Sequence, residues 1–122
     1  MRAIVVDDAK AIRSIIGRFL VQEGFEVVEA ANGKLALEKL KEAGALDLAL
    51  VDWNMPEMNG IELVRALRAD RGFDSMRVMM VTTESERQQV ETALEAGADE
   101  YVMKPFTTDV LREKLALMGF GL

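Results

Sequence analysis

Five short apolar runs recur along this chain, each stopped by a polar residue, and between them apolar residues return at helical spacing. Ile4-Val5-Val6 ends at Asp7-Asp8. Phe25, Val27 and Val28 alternate with polar neighbours, as a half-exposed strand does. Leu46 to Val51, broken only by Asp47, ends at Asp52; Arg77-Val78-Met79-Met80-Val81 ends at Thr82; Tyr101-Val102-Met103 ends at Lys104-Pro105. The intervening stretches read as helices. The first carries Ile12, Ile15, Ile16, Phe19 and Leu20 and closes at Gly24. The second carries Leu35, Leu37 and Leu40, capped by Asn32 and ended by Gly44. A turn-rich stretch from Asp52 to Gly60 leads into a third with Ile61, Val64 and Leu67. Thr83 and Glu86 form a T-x-x-E capping box for a weakly apolar fourth, with Val90, Ala93 and Leu94 on its face. Thr107 or Thr108 caps a fifth with Val110, Leu111 and Leu115.

Strands alternating with helices in this way predict an α/β fold, a single doubly wound (βα)5 domain with a parallel sheet and helices on both faces. The near-continuous apolarity of the middle runs predicts strands covered on both sides. At 122 residues the chain accommodates one domain, 1–122, and the closing Gly119-Phe120-Gly121-Leu122 reads as a short frayed tail.

Composition removes several function classes. The chain has no cysteine and no histidine, so disulfides, iron–sulfur clusters, imidazole or thiolate zinc sites and histidine-dependent triads are excluded. Any metal must be held by oxygens, which points to magnesium, calcium or manganese. A net charge of −6 disfavours a nucleic-acid surface. No apolar run approaches the roughly 20 residues of a membrane span, and Asp7 and Asp8 arrive too early for a secretory signal. A cytoplasmic protein with no membrane or nucleic-acid partner is the expectation.

The polar residues fall where chemistry is expected. Asp7-Asp8, Asp52, Thr82 and Lys104 each directly follow a strand run, and the carboxyl ends of parallel strands share one edge, where open α/β sheets bind ligands. Singly, each has an ordinary structural use; Asp8, for instance, could cap the first helix. Jointly they predict a cluster. Two carboxylates about 5 Å apart repel by roughly 3 kcal/mol at an effective dielectric near 20, a large cost in a marginally stable domain. A bound divalent cation offsets that cost, with Lys104 taking part of it. A carboxylate beside such an ion is a nucleophile toward phosphorus.

These residues carry a resemblance. Asp7-Asp8, Asp52-Trp53-Asn54-Met55-Pro56 through Asn59-Gly60, Val81-Thr82 and Lys104-Pro105-Phe106 resemble receiver domains of two-component response regulators, most of all the stand-alone chemotaxis type, the CheY-like proteins. The resemblance spans essentially the whole chain. It implies a flavodoxin-like sheet in the order 2-1-3-4-5. It implies Asp52 as phosphoacceptor, with Lys104 and Thr82 contacting the phosphoryl group and a cis Lys104-Pro105 peptide. It implies Mg2+, or Mn2+, held directly by Asp8, by Asp7 mainly through water, by Asp52 and by the backbone carbonyl of Asn54. Thr82 and Tyr101 are implied as switch residues coupled to the face of the fourth helix, fifth strand and fifth helix, and Asn54, Thr83 and Glu84 as residues tuning phosphoryl lifetime. Thr83 departs from the family, where a small Ala or Gly is usual; a bulkier hydroxyl at the site mouth is expected to slow turnover. The implied partners are a histidine kinase as donor, a flagellar motor switch or relay protein as target, and a phosphatase. No output domain is expected after the fifth helix, so the signal is expected to leave through surface contact, at a motor switch or along a relay, unless the domain acts as a phosphate sink.

Two other readings use parts of the same pattern. A haloacid-dehalogenase-like phosphohydrolase also forms an aspartyl phosphate, but its nucleophile lies in a D-x-D after the first strand, which is missing here. A flavodoxin-like electron carrier needs a hydroxyl- and Gly-rich phosphate loop where this chain has Asp7-Asp8-Ala9-Lys10.

Overall fold

In the computed structural model, which describes residues 1–55, 57–83 and 87–120, strands and helices alternate as the periodicity requires. The elements are β1 (Arg2–Val6), α1 (Lys10–Gln22), β2 (Glu26–Ala30), α2 (Gly33–Ala43), β3 (Leu48–Asp52), α3 (Gly60–Ala69), β4 (Arg77–Thr83), α4 (Arg87–Ala96), β5 (Glu100–Lys104) and α5 (Thr108–Leu117). A short 3-10 turn at Arg71–Phe73 follows α3. The strands pair in parallel in the order β2-β1-β3-β4-β5. The chain steps from β1 outward to β2, then crosses back over β1 to β3. Winding therefore reverses between β1 and β3, and their carboxyl ends border the crevice that such a reversal opens.

Alternation along the strands fills two cores. Ala3 and Val5 of β1, Leu48 and Leu50 of β3, and Met79 and Val81 of β4 pack against Ile16 and Leu20 of α1 and Leu111 and Leu115 of α5. Ile4, Val6, Ala49, Val51, Val78 and Met80 face the opposite way, against Leu40 of α2, Val64 and Leu67 of α3 and Ala93 of α4. All five residues of β3 are buried, as a strand covered on both faces must be.

Helix ends follow local chemistry. Asn32 accepts from Leu35 N at 2.9 Å and Thr107 from Val110 N at 3.2 Å, so Thr107 rather than Thr108 caps α5. Gly24 and Gly44, at φ +98° and +80°, end α1 and α2 in the left-handed region. Asn59 and Glu62 form a reciprocal capping box on α3, an N-x-x-E signal that stands in the sequence inside the stretch read only as turn-rich.

Three expectations change. The buried residues of α1 are Ile16, Gly17, Phe19 and Leu20, with Arg13 half-buried one turn before them, and Ile15 is 55% exposed. On α4 the inner face is built on Ala93, with Leu94 turned to solvent, and on α5 Val110 is exposed beside buried Leu111. The tail is docked as far as Phe120, whose ring meets Phe25 edge-on at 5.5 Å and whose N–H donates to Leu115 O at 2.9 Å. β4 extends through Thr83, and the Thr83–Glu86 capping box depends on residues 84–86, outside the described residues; so do Glu84, Gly121 and Leu122.

At the far edge of the sheet, Arg68 of α3 donates to the carbonyls of Gly97, Phe73 and Met76 and to Asp99 Oδ2, at 2.8–3.0 Å. One guanidinium thus ties α3 to the segments entering β4 and β5.

Candidate phosphoryl and cation site

Sheet register sets the site. Val6 pairs with Val51, so Asp7 and Asp52 leave β1 and β3 side by side. Asp52 pairs with Val81, and Trp53 N donates to Val81 O at 3.0 Å, which puts Thr82 at the same edge. Thr83 pairs with Lys104 at the end of β5. Among the described residues, the buried polar or charged side chains are Asp7, Asp52 and Thr82, and all three stand here. Buried polar groups are costly unless satisfied, so their confinement to one strand edge marks that edge as the site.

The carboxylates converge. Oxygens of Asp7, Asp8 and Asp52 lie within 4.8 Å of one another. Burial, reinforced by the charge of Asp7 and opposed by Lys104, pushes Asp52 up from 3.8 to about 6. Lys104 Nζ bridges the pair, 3.1 Å from Asp52 Oδ1 and 3.4 Å from Asp7 Oδ2. Burial alone depresses Lys104, but its hydrogen bond to Asp52 and the two negative charges outweigh that and raise it, so the ammonium is held firmly protonated. The donor set, hard oxygens with excess negative charge and no nitrogen or sulfur, fits a magnesium-like ion.

Asp8 does not cap α1. The N-cap position is Ala9, without a side-chain bond, and Ala9 N donates instead to Asp7 Oδ1 at 2.8 Å. Asp8 is exposed, with its carboxylate in the cluster. Asn54 is exposed two residues past Asp52. Thr82 Oγ1 donates to Thr83 O at 3.3 Å, and Thr83 is half-buried. The Lys104-Pro105 peptide is cis. Tyr101 is half-buried against the α2–α4 core, with Lys114 Nζ 4.4 Å from its ring centroid and also 3.1 Å from Glu100 Oε1. Next to Lys104, Ile12, Ile15, Pro105 and Phe106 line an open apolar cleft of about 360 Å3.

Two residues support the site in ways that the motif and the periodicity leave unspecified. Gly60 lies so close to the phosphoacceptor strand that a Cβ there would sit 2.5 Å from Asp52 O and 3.0 Å from Trp53 Cα, both backbone atoms. The third helix can start on top of Asp52 only without a side chain. Gly60→Ala is therefore expected to cost about 2 kcal/mol or more, read as a lower urea midpoint at unchanged slope; an unaltered midpoint would contradict the close packing. The other contributor is Arg13, treated below.

A doubly wound parallel sheet with an acid cluster and a lysine at its switch point defines a class of signalling domain. The chain belongs to the response regulator receiver domain family, whose pattern it matches over residues 3–116. It is similar to chemotaxis protein CheY1 of Helicobacter pylori, 45% identical over 119 residues covering 97% of this chain and 96% of that one. It is likewise 45% identical over 123 residues to a CheY homolog of Campylobacter jejuni, covering 99% and 95% of the two chains. Its fold superposes on the crystal structure of chemotaxis protein CheY4 from Vibrio cholerae with a TM-score of 0.86 at 32% identity, covering 94% of this chain and 95% of that one. Among the described residues, no helix is long and apolar enough to cross a membrane.

Proposed function

We propose that this receiver domain accepts a phosphoryl group on Asp52 and uses it to switch a binding surface, in a cytoplasmic chemotaxis or closely similar two-component pathway. One observation carries the reading: three carboxylates with oxygens within 4.8 Å of one another, two of them, Asp7 and Asp52, bridged by the Lys104 ammonium, at the point where strand order reverses. Asp7, Asp8, Asp52 and the Asn54 carbonyl hold Mg2+, or Mn2+. The ion, when bound, neutralises the carboxylates and the charge on the transferring phosphoryl oxygens.

The chain's own residues do the rest. An Asp52 oxygen attacks the phosphorus of a phosphohistidine on the donor kinase; the P–O bond forms as the P–N bond breaks, and the imidazole leaves with the electron pair. Lys104 is already hydrogen-bonded to Asp52 and swings its ammonium onto the incoming oxygens. Thr82 turns its hydroxyl to the phosphoryl group, and Tyr101 moves inward with it, altering the face of α4, β5 and α5. The apolar cleft beside Lys104 supports docking of the donor, and the altered face supports binding of a flagellar motor switch or relay protein. A phosphatase is a further partner. The domain assists its own phosphorylation and dephosphorylation rather than turning over a diffusible substrate. The same acid cluster repels a flavin phosphate, which weighs against an electron carrier.

Asn54, Thr83 and Glu84 are carried over as the residues that set phosphoryl lifetime, Glu84 lying outside the described residues. Thr83→Ala is expected to speed decay of the phosphorylated form severalfold; identical decay curves would remove Thr83 from this role. The whole reading is tested by mixing protein, MgCl2 and a small acyl phosphate and recording intact mass. Wild type should gain one phosphoryl group and Asp52→Asn none. A gain that persists in Asp52→Asn places the modification elsewhere.

A further inference from the structure

Of the charged residues of α1, Lys10 and Arg18 are exposed, whereas Arg13, one turn before buried Ile16 and Gly17, has a side chain only 15% exposed. Its Nη1 donates to the backbone carbonyl of Asp7 at 2.7 Å, and its Nε to Glu29 Oε1 on β2 at 3.2 Å. Asp7 is where β1 hands over to α1. Its N–H still continues the sheet ladder to Ala30 O at 3.1 Å, while its carbonyl is taken by the guanidinium.

We propose that Arg13 is a positioning residue for divalent-cation binding, holding the Asp7–Asp8 turn in the geometry that aims both carboxylates at the ion. The inference rests on the cation-binding reading above and names what fixes that site from behind. Asp8 is exposed and makes no cap bond to α1, so the direction of its carboxylate is set by the backbone of the turn. Beyond the sheet bond from Asp7 N to Ala30 O, two bonds pin that turn: Ala9 N to Asp7 Oδ1, and Arg13 Nη1 to Asp7 O. The guanidinium's planar fork reaches a carbonyl and a carboxylate at once, which an ammonium cannot do in one geometry. Charge acts weakly by comparison. Glu29 neutralises Arg13 at 3.2 Å, whereas Lys104 is the cation in direct contact with Asp7 and Asp52. Geometry therefore outweighs repulsion of the incoming ion. Groups that orient metal ligands from behind are worth roughly 10–100-fold in affinity.

The test is a MgCl2 titration of the full chain followed by Trp53 fluorescence, with melting curves in EDTA alongside. Arg13→Met is expected to weaken Mg2+ binding about tenfold, and Arg13→Lys by less. Arg68→Met, which removes a comparable guanidinium at the opposite edge of the sheet, should lower the melting temperature and leave Mg2+ affinity unchanged. That control separates positioning from general loss of stability. If Arg13→Met fails to fold, Arg13→Lys decides. Mg2+ affinity in the Arg13 variants equal to wild type overturns the inference, and tighter binding overturns it in favour of simple charge repulsion. If wild type itself takes up no Mg2+, it is the cation-binding reading that fails.

Discussion

Asp52→Asn is expected to melt higher than wild type in metal-free buffer at about pH 7.5, by about 8 °C, while losing all phosphoryl uptake. The carboxyl sits near 6 in the folded chain against 3.8 ordinarily, because burial and Asp7 oppose its ionisation. The folded state therefore holds the Asp52 proton more tightly than the unfolded state. The stability this confers is fully present below about pH 4 and is lost as pH rises through about 6. Above that, the ionised group costs up to about 3 kcal/mol. Asparagine removes the charge but also weakens the bond to Lys104, which leaves a net gain of about 2 kcal/mol. The difference between the two proteins should shrink as pH falls below about 5. Thermal unfolding across that range reads both sign and window. A variant that melts lower than wild type at neutral pH would mean the Lys104 bond outweighs the repulsion. The activity most sensitive to Asp52 is thus built where the fold is under electrostatic load, as functional sites commonly are.

Lys104→Met should behave in the opposite way. Its ammonium contacts Asp52 at 3.1 Å and Asp7 at 3.4 Å, and its removal leaves two neighbouring buried carboxylates facing each other. Deleting one partner of a buried ion pair costs about 3–5 kcal/mol; with its side chain 27% exposed, Lys104 is expected to be worth about 2 kcal/mol in EDTA. Mg2+ supplies the missing positive charge. At ten times the dissociation constant it returns about 1.4 kcal/mol by mass action alone. Urea unfolding in EDTA and in MgCl2 should therefore show a larger magnesium-dependent gain for Lys104→Met than for wild type. Equal midpoints for the two proteins in EDTA would contradict the bridge.

Much of this site is legible in the sequence alone, because strand ends in a parallel sheet can go only to one edge. Asp7-Asp8, Asp52, Thr82 and Lys104 needed nothing more than the five apolar runs to be brought together. Their neighbours were less legible for physical reasons. Arg13 lies between apolar residues, three before Ile16 and seven before Leu20, so helical spacing turns it toward the core; a charge there needs a partner, and that was the available signal. The contact of Gly60 with Asp52 O depends on the path of the β3–α3 loop, which no periodicity encodes. On α4, Ala93 rather than Leu94 faces inward, because so few apolar side chains fix its rotation poorly. The Lys114–Glu100 pair around Tyr101 joins residues on two elements through side-chain reach alone.

The acids of β1 and β3 form a cation site against the residue that takes the phosphoryl group. Calorimetric titration of metal-free protein with MgCl2, beside the exposed-ligand variant Asp8→Asn, addresses it most directly. Saturable uptake of one ion per chain, markedly weakened in Asp8→Asn while that variant melts as a folded protein, is the expected result. Absence of saturable heat into the millimolar range with wild type would contradict the account.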